Sequence, residues 1–304
     1  MLASALLLAA LLLPSAAPAQ DQRAFDPAPA SLPIGDGDFR FEDWEGPALR
    51  VWTYRPAGVD PATAPILIVM HGVRRDADRY LAQWRDPAQA CGFIVAAPEF
   101  DRGAFPTSRE YNLGHIAERG GTDLRPRPRW SFAAIEPLFD AVVARLGGSQ
   151  REYTLYGHSA GSQFVHRFML LQRETRAARF LAANAGWYTL PSFAFDYPFG
   201  LNGTDLGSED LKAALARDVV ILLGDRDTDP TDPNLNTSEW AMQQGEHRLA
   251  RGHYFHRFGR DVAQREGWAF SWSVREVPGV AHDNGGMARA AGALVKGTAG
   301  CGPQ

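Results

Sequence analysis

At 304 residues the chain is long enough for one large domain with a substantial core. Its formal net charge of −4 comes from acidic and basic residues that are interspersed, which leaves no electrostatic case for nucleic acid or an anionic membrane as partner. Beyond the first residues no apolar stretch approaches the length of a membrane span.

Residues 1–13 form an apolar run that is too short to cross a bilayer as a helix but suits the core of a signal peptide. Ala17-Pro18-Ala19 supplies the small-x-small pattern expected before a cleavage point, although no Lys or Arg precedes the run. The expectation is a signal peptide over 1–19, a mature chain from near Gln20, a secreted or periplasmic location, and no membrane span in the mature form. Residues 20–33 are rich in Ala and Pro and read as a disordered leader. Residues 34–304 read as one domain, expected to be a monomer. An oxidising compartment permits a disulfide between Cys91 and Cys301. Cys91 equally suits a free thiol packed at the end of a helix, and sequence does not choose between the two.

Residues 39–45 and 49–55 alternate as an antiparallel hairpin would. Residues 65–70 are different: a continuous apolar run, as a strand buried on both faces requires, ending in His71-Gly72. A helix is expected over 76–89 and a second buried strand over 92–100. Strand, helix, strand implies a parallel sheet with right-handed crossovers. Residues 101–128 read as a long loop, with the alternating Arg and Pro of 125–129 as a solvated surface run. A helix over 130–147 carries its apolar residues on one face. The short β run 153–156 then meets Gly157-His158-Ser159-Ala160-Gly161, and a helix follows from 162. A strand near 180–188 ends in Trp187 and Tyr188. A Phe-, Pro- and Gly-rich loop (190–207) comes next, and with Trp187 and Tyr188 its 193–199 stretch is a candidate lining for an apolar or aromatic pocket. A buried strand over 218–224 ends in acids, a mainly helical stretch covers 242–266, a last strand covers 271–279, and a closing helix covers 285–296.

Gly-x-Ser-x-Gly between a strand and a helix is a turn that holds a serine clear of the sheet, with glycines where side chains would collide with the neighbouring strand and helix. A serine hydroxyl barely ionises at neutral pH, so its attack on a carbonyl needs a base. His282, in the loop after the last strand, is the candidate base, and a carboxylate from Asp225, Asp227 or Asp229 is the candidate orienting acid, with Asp227 favoured. Ser159, the acid and His282 each lie just past the C-terminal end of an expected strand, where open parallel sheets bind ligands. The Ala160 N–H and the N–H of Val73, just after His71-Gly72, are the candidate oxyanion donors. His71 is a candidate substrate contact. His253 and His256 stand at i, i+3 but have no evident third ligand, and the acidic run after Gly224 lacks the glycine and glutamate of a calcium loop, so no metal and no cofactor are expected.

These motifs, in the order Ser159, Asp227, His282, resemble the α/β-hydrolases over essentially the whole mature length. Residues 70–80 and Ala96-Ala97-Pro98-Glu99 are further similar to the secreted polyhydroxyalkanoate-depolymerase and feruloyl-esterase-like branch. The resemblance implies an α/β-hydrolase fold, a mostly parallel sheet with helices on both faces and no large lid. It also implies hydrolysis of a small-molecule or oligomeric carboxylic ester through an acyl-serine. A peptidase or acyltransferase on the same three residues, and a binding protein without turnover, are the alternatives.

Overall fold

In the computed structural model, which describes residues 31–118, 123–298 and 301, eight strands form one sheet. They are β1 (Gly35–Phe41), β2 (Leu49–Arg55), β3 (Ile66–Met70), β4 (Ile94–Glu99), β5 (Tyr153–His158), β6 (Ala177–Ala183), β7 (Val219–Gly224) and β8 (Trp272–Val277). Their order across the sheet is β1-β2-β4-β3-β5-β6-β7-β8. The hairpin β1–β2 joins β4 antiparallel, and every pairing from β4 to β8 is parallel. The segment read as a signal peptide, and the leader as far as residue 30, lie outside the described residues. Within the last residues of the leader Leu32 is buried, and its N–H donates to the Arg145 carbonyl, so the chain is already attached there.

The continuous apolar runs are explained by a sheet covered twice. Along β3, Ile66, Ile68 and Met70 face one core while Leu67 and Val69 face the other. The first core is closed by α2 (Ile135–Leu146), α3 (Ala160–Leu171), α4 (Ser208–Leu215) and α6 (Arg248–Glu266). The second is closed by α1 (Ala77–Cys91) and α7 (Asn284–Ala291), with Trp84 packed edge-on to Tyr156 at 4.6 Å between centroids. No separate lid is present among the described residues.

Several element bounds differ from expectation. The helix read as one run from 242 is broken into α5 (Glu239–Met242) and α6, because Gly245 takes φ 143° and His247 caps the new helix by accepting from the Ala250 N–H. The closing helix stops at Ala291 and continues as a single tighter turn to Leu294. Helix α4 lies between the expected loop and the expected strand from 218. It starts where the Asp210 carboxylate accepts from the Gly207 N–H.

Cys91, the last residue of α1, is bonded to Cys301 across a sequence separation of 210 residues, which ties the end of the chain to the body. Closing a loop of that length restricts the unfolded chain by roughly 5 kcal/mol on chain entropy alone, and removing native bridges commonly costs about 2–5 kcal/mol. Reduction with dithiothreitol therefore lowers the urea midpoint of the wild type. The double variant Cys91→Ser/Cys301→Ser unfolds at that same lowered midpoint with or without reductant, and an unchanged wild-type midpoint would contradict this.

Candidate active site

The site is built on the turn between β5 and α3. Ser159 lies between them with φ 59° and ψ −116°, a left-handed conformation that a non-glycine residue adopts only when its surroundings impose it. They do so from both sides. The Ser159 N–H donates to the Ala183 carbonyl at 3.0 Å, and the Ser159 carbonyl accepts from Gln163 at 3.1 Å. A side chain at Gly157 would overlap the Gly161 carbonyl, and one at Gly161 would overlap the Met70 carbonyl of β3. The two glycines allow the helix to start in contact with the sheet, which turns the serine hydroxyl outward.

The Ser159 Oγ lies 3.0 Å from His282 Nε2, and His282 Nδ1 lies 2.7 Å from Asp227 Oδ2. Asp227 is 3 % exposed, whereas His282 is partly open to solvent. The other two acids are occupied elsewhere: Asp225 accepts from the Gly279 N–H, and Asp229 accepts from the N–H and hydroxyl of Thr231. Val73 and Ala160 border the cleft that opens at Ser159, and neither backbone N–H has an acceptor among the described residues.

Arg248, the first residue of α6, is a feature that sequence alone does not reveal. It is 1 % exposed, and its Nη1 meets Asp227 Oδ1 at 3.4 Å and Asp232 Oδ2 at 3.0 Å. The Leu249 N–H adds a bond to the Asp227 carbonyl. The start of α6 thus holds the acid in place and ties it to the loop around Asp232, whose Asn234 borders the clefts on both sides of Ser159. The only signal in the sequence is a charged residue in a stretch read as mainly helical.

His71 is not at the surface of the site. It is fully buried, its Nε2 accepts from the Phe100 N–H at 3.0 Å, and its carbonyl accepts from the Tyr111 hydroxyl at 2.7 Å. Burial first, and the nearby Arg75 charge second, lower its pKa to about 3, so the ring is neutral and acts as a fixed acceptor. The expectation of a substrate contact is corrected: His71 pins the strand end that carries Val73. Arg75 works with it, donating to the carbonyls of Phe100, Phe105 and Thr107 and lying 4.2 Å over the Tyr111 ring.

Tyr188 is likewise fully buried, stacked at 4.4 Å on Phe255, and belongs to the core. Trp187 does border the cleft beside Ala160. The aromatic loop 193–199 does not border that cleft; Phe199 packs against Trp187 at 4.5 Å from behind. In place of the expected apolar pocket, this cleft of about 340 Å³ is mixed, with Ser108, Asn112, Gln163, Asn234 and Asn236 beside the apolar Val73, Trp187, Pro233 and Leu235. A second cleft of about 160 Å³ opens on the other side of Ser159, along His282, His158, Tyr80 and Arg74.

His158 lies tilted against His282 with centroids 4.6 Å apart, and its Nδ1 meets the Tyr80 hydroxyl at 3.1 Å. Burial chiefly, and then the neighbouring His282 and Arg248, hold it well below the usual histidine range. His253 pairs with Glu276, and among the described residues no group of three or more His, Cys, Asp or Glu is gathered as a metal site. Among the described residues no helix is long and apolar enough to cross a membrane.

No protein-family model matches the chain, and no curated protein matches it. Solved structures do. A poly(aspartic acid) hydrolase from Sphingomonas sp. KT-1 is 44 % identical with a TM-score of 0.84, over 86 % of this chain and 99 % of that one. A poly(3-hydroxybutyrate) depolymerase from Bordetella parapertussis is 33 % identical with a TM-score of 0.81, over 86 % and 90 %. An S-formylglutathione hydrolase from Agrobacterium tumefaciens, 14 % identical with a TM-score of 0.55 over 86 % and 94 %, shares the fold.

Three histidines, His71, His158 and His166, are buried and held neutral, with desolvation as the first cause in each. The unfolded chain takes up their protons below about pH 6.5 while the native state does not, so stability is full above that pH and is lost as pH falls toward the folded values. Urea unfolding at pH 7, 5.5 and 4.5 checks this. The wild type loses stability steadily, and His71→Gln shows a slope shallower by about 1.4 kcal/mol per pH unit. An identical slope in the variant would show that His71 is protonated in the native state.

Proposed function

The chain belongs to the α/β-hydrolase superfamily, and we propose that it is a secreted or periplasmic serine hydrolase that cleaves carboxylic esters through an acyl-serine. The observation that carries the reading is the unbroken chain of contacts from Ser159 through His282 to Asp227. Each link has a chemical task. As Ser159 Oγ attacks the acyl carbon, its proton passes to His282 Nε2, and the Asp227 carboxylate keeps Nδ1 protonated and stabilises the imidazolium that forms. The carbonyl oxygen becomes an oxyanion between the N–H groups of Val73 and Ala160, the latter at the start of α3 where the helix dipole adds to the effect. Collapse of the tetrahedral adduct breaks the bond to the leaving oxygen, which takes the proton from His282. Water, deprotonated by the same His282, then attacks the acyl-serine, and the acid leaves with Ser159 regaining its proton.

A second reading is favoured by one observation: the relative at 44 % identity is described as a poly(aspartic acid) hydrolase. The units of that polymer are joined by amide bonds, so the same steps on an amide of an acidic oligomer are the alternative to an ester. The amide and hydroxyl side chains in the mixed lining beside Ser159 suit a polar acyl group in either case. Export is supported by the apolar run and Ala17-Pro18-Ala19 at the start of the sequence and by the Cys91–Cys301 bond.

Hydrolysis of p-nitrophenyl butyrate checks the assignment. Ser159→Ala and His282→Ala each reduce turnover to near background, and Asp227→Asn reduces it by about 10⁴-fold. A fluorophosphonate labels the wild type and not Ser159→Ala. A wild type that neither turns over the ester nor takes the label would instead favour a binding protein. Separately, intact mass of the exported protein is expected to correspond to a chain starting near Gln20, and retention of residues 1–19 would refute export by cleavage.

A further inference from the structure

The cleft beside Ala160 has a donor arrangement that the triad does not use. Gln163 stands one helical turn after Ser159 on α3 and borders that cleft. Its Oε1 accepts twice, from Asn112 Nδ2 at 3.0 Å and from Arg167 Nη1 at 3.2 Å. Both partners are donors, so the amide oxygen is the atom that faces them and the amide NH₂ is left to face the cleft. Gln163 Nε2 donates to no group among the described residues.

Arg167 supplies the charge behind this donor. It is fully buried, and its remaining bonds run to the Thr189 hydroxyl and to the carbonyls of Asn112 and Gln163. No carboxylate pairs with it among the described residues, and its Nη2 has no hydrogen-bond partner. Burial lowers its pKa only to about 10, so at neutral pH it is a guanidinium. The Trp187 ring covers it at 4.2 Å, which keeps water from screening the charge. A buried unpaired cation is costly, and an anion seated on the polarised Gln163 amide in front of it relieves that cost. No Asp or Glu borders this cleft to compete, and its one charged lining residue is the cation Arg248, itself held by Asp227 and Asp232.

The side of the serine on which the anion sits follows from the proton path. His282 must reach the leaving oxygen, and His282 borders the other cleft. The acyl group is left with the cleft that holds Gln163. We propose that Asn112, Gln163 and the buried Arg167 form an acyl-side subsite for a carboxylate, so that the enzyme prefers acyl groups carrying a second, free carboxylate a few bonds from the scissile carbonyl. This rests on the serine-hydrolase reading above. Arg167 acts through Gln163 and is a positioning residue; Gln163 is the group that touches substrate.

Three esters of matched size separate the outcomes, with released acid followed by pH-stat at neutral pH. Ethyl hydrogen succinate carries the carboxylate on the acyl side, ethyl butyrate carries none, and butyryloxyacetate carries it on the alcohol side. The wild type is expected to prefer the succinate over the butyrate by about tenfold in kcat/KM, the scale of one hydrogen bond to a charged group. No such preference is expected for butyryloxyacetate. In Gln163→Met the succinate-to-butyrate ratio falls to near one. In Gln163→Glu, where the new carboxylate is stabilised by Arg167 and Asn112 and the fold is kept, it falls below one. A wild-type ratio of one or less, an unchanged ratio in Gln163→Met, or a preference for the alcohol-side carboxylate would overturn the subsite while leaving the hydrolase reading intact. No turnover of any ester, together with no fluorophosphonate labelling of Ser159, would overturn the hydrolase reading itself.

Discussion

The close approach of α3 to the sheet at Gly157 and Gly161 is the constraint on which the site depends. With no room for a Cβ at either position, the chain passes from strand to helix in one residue, and that residue is held left-handed. The cost of holding Ser159 at φ 59° is of order 1–3 kcal/mol. It is offset by the bonds from Ser159 to Ala183 and from Gln163 to Ser159, and by the buried packing of β5 and α3. The result is one rigid turn that presents a hydroxyl, the first free N–H of a helix and, four residues on, the Gln163 amide, all toward the same opening.

Around that turn the protein places charge with little water to screen it. Asp227 is nearly fully buried, and its carboxylate is shared between His282 on one oxygen and Arg248 on the other. An unpaired carboxylate at that depth would be strongly disfavoured, and Arg248 supplies the second partner that its other oxygen needs. The opposite solution is used at His71, His158 and His166, where desolvation keeps each imidazole neutral and available as a hydrogen-bond acceptor or packing surface. Histidine thus has two roles, and burial separates them: the partly exposed His282 ring faces the serine, and these three buried rings hold the framework.

The cleft beside Ala160 is lined by loops from distant parts of the chain. The 105–118 stretch brings Ser108 and Asn112, the end of β6 leads to Trp187, and the segment after β7 brings Asn234 and Asn236. A rigid sheet with chemistry at its carboxyl edge and specificity in the connecting loops is the general arrangement of open parallel sheets. Here the loop after β7 is also bonded to Asp227 through Asp232 and Arg248, so one wall of the clefts and the carboxylate that meets His282 are positioned together.

By itself the sequence determined the buried parallel strands, the strand–serine–helix turn and the chain order of Ser159, Asp227 and His282. Those features are local: two-sided burial writes a continuous apolar run, a missing Cβ writes a glycine, and a strand that ends at a site writes its functional residue just past the last apolar position. Asp227 could be favoured over Asp225 and Asp229 because only it leaves the strand at the right point, but the competing bonds to Gly279 and Thr231 that occupy the other two are tertiary facts. The tertiary structure alone decided that His71 and Tyr188 are framework, that Cys91 reaches Cys301, and that Arg248, Asn112 and Gln163 stand at the site. Each of these depends on which groups meet across 50 or more residues of chain, or on whether a polar side chain is inside or outside, and neither leaves a pattern in residue type or spacing. A buried arginine and an exposed one are written with the same letter, and only packing separates them.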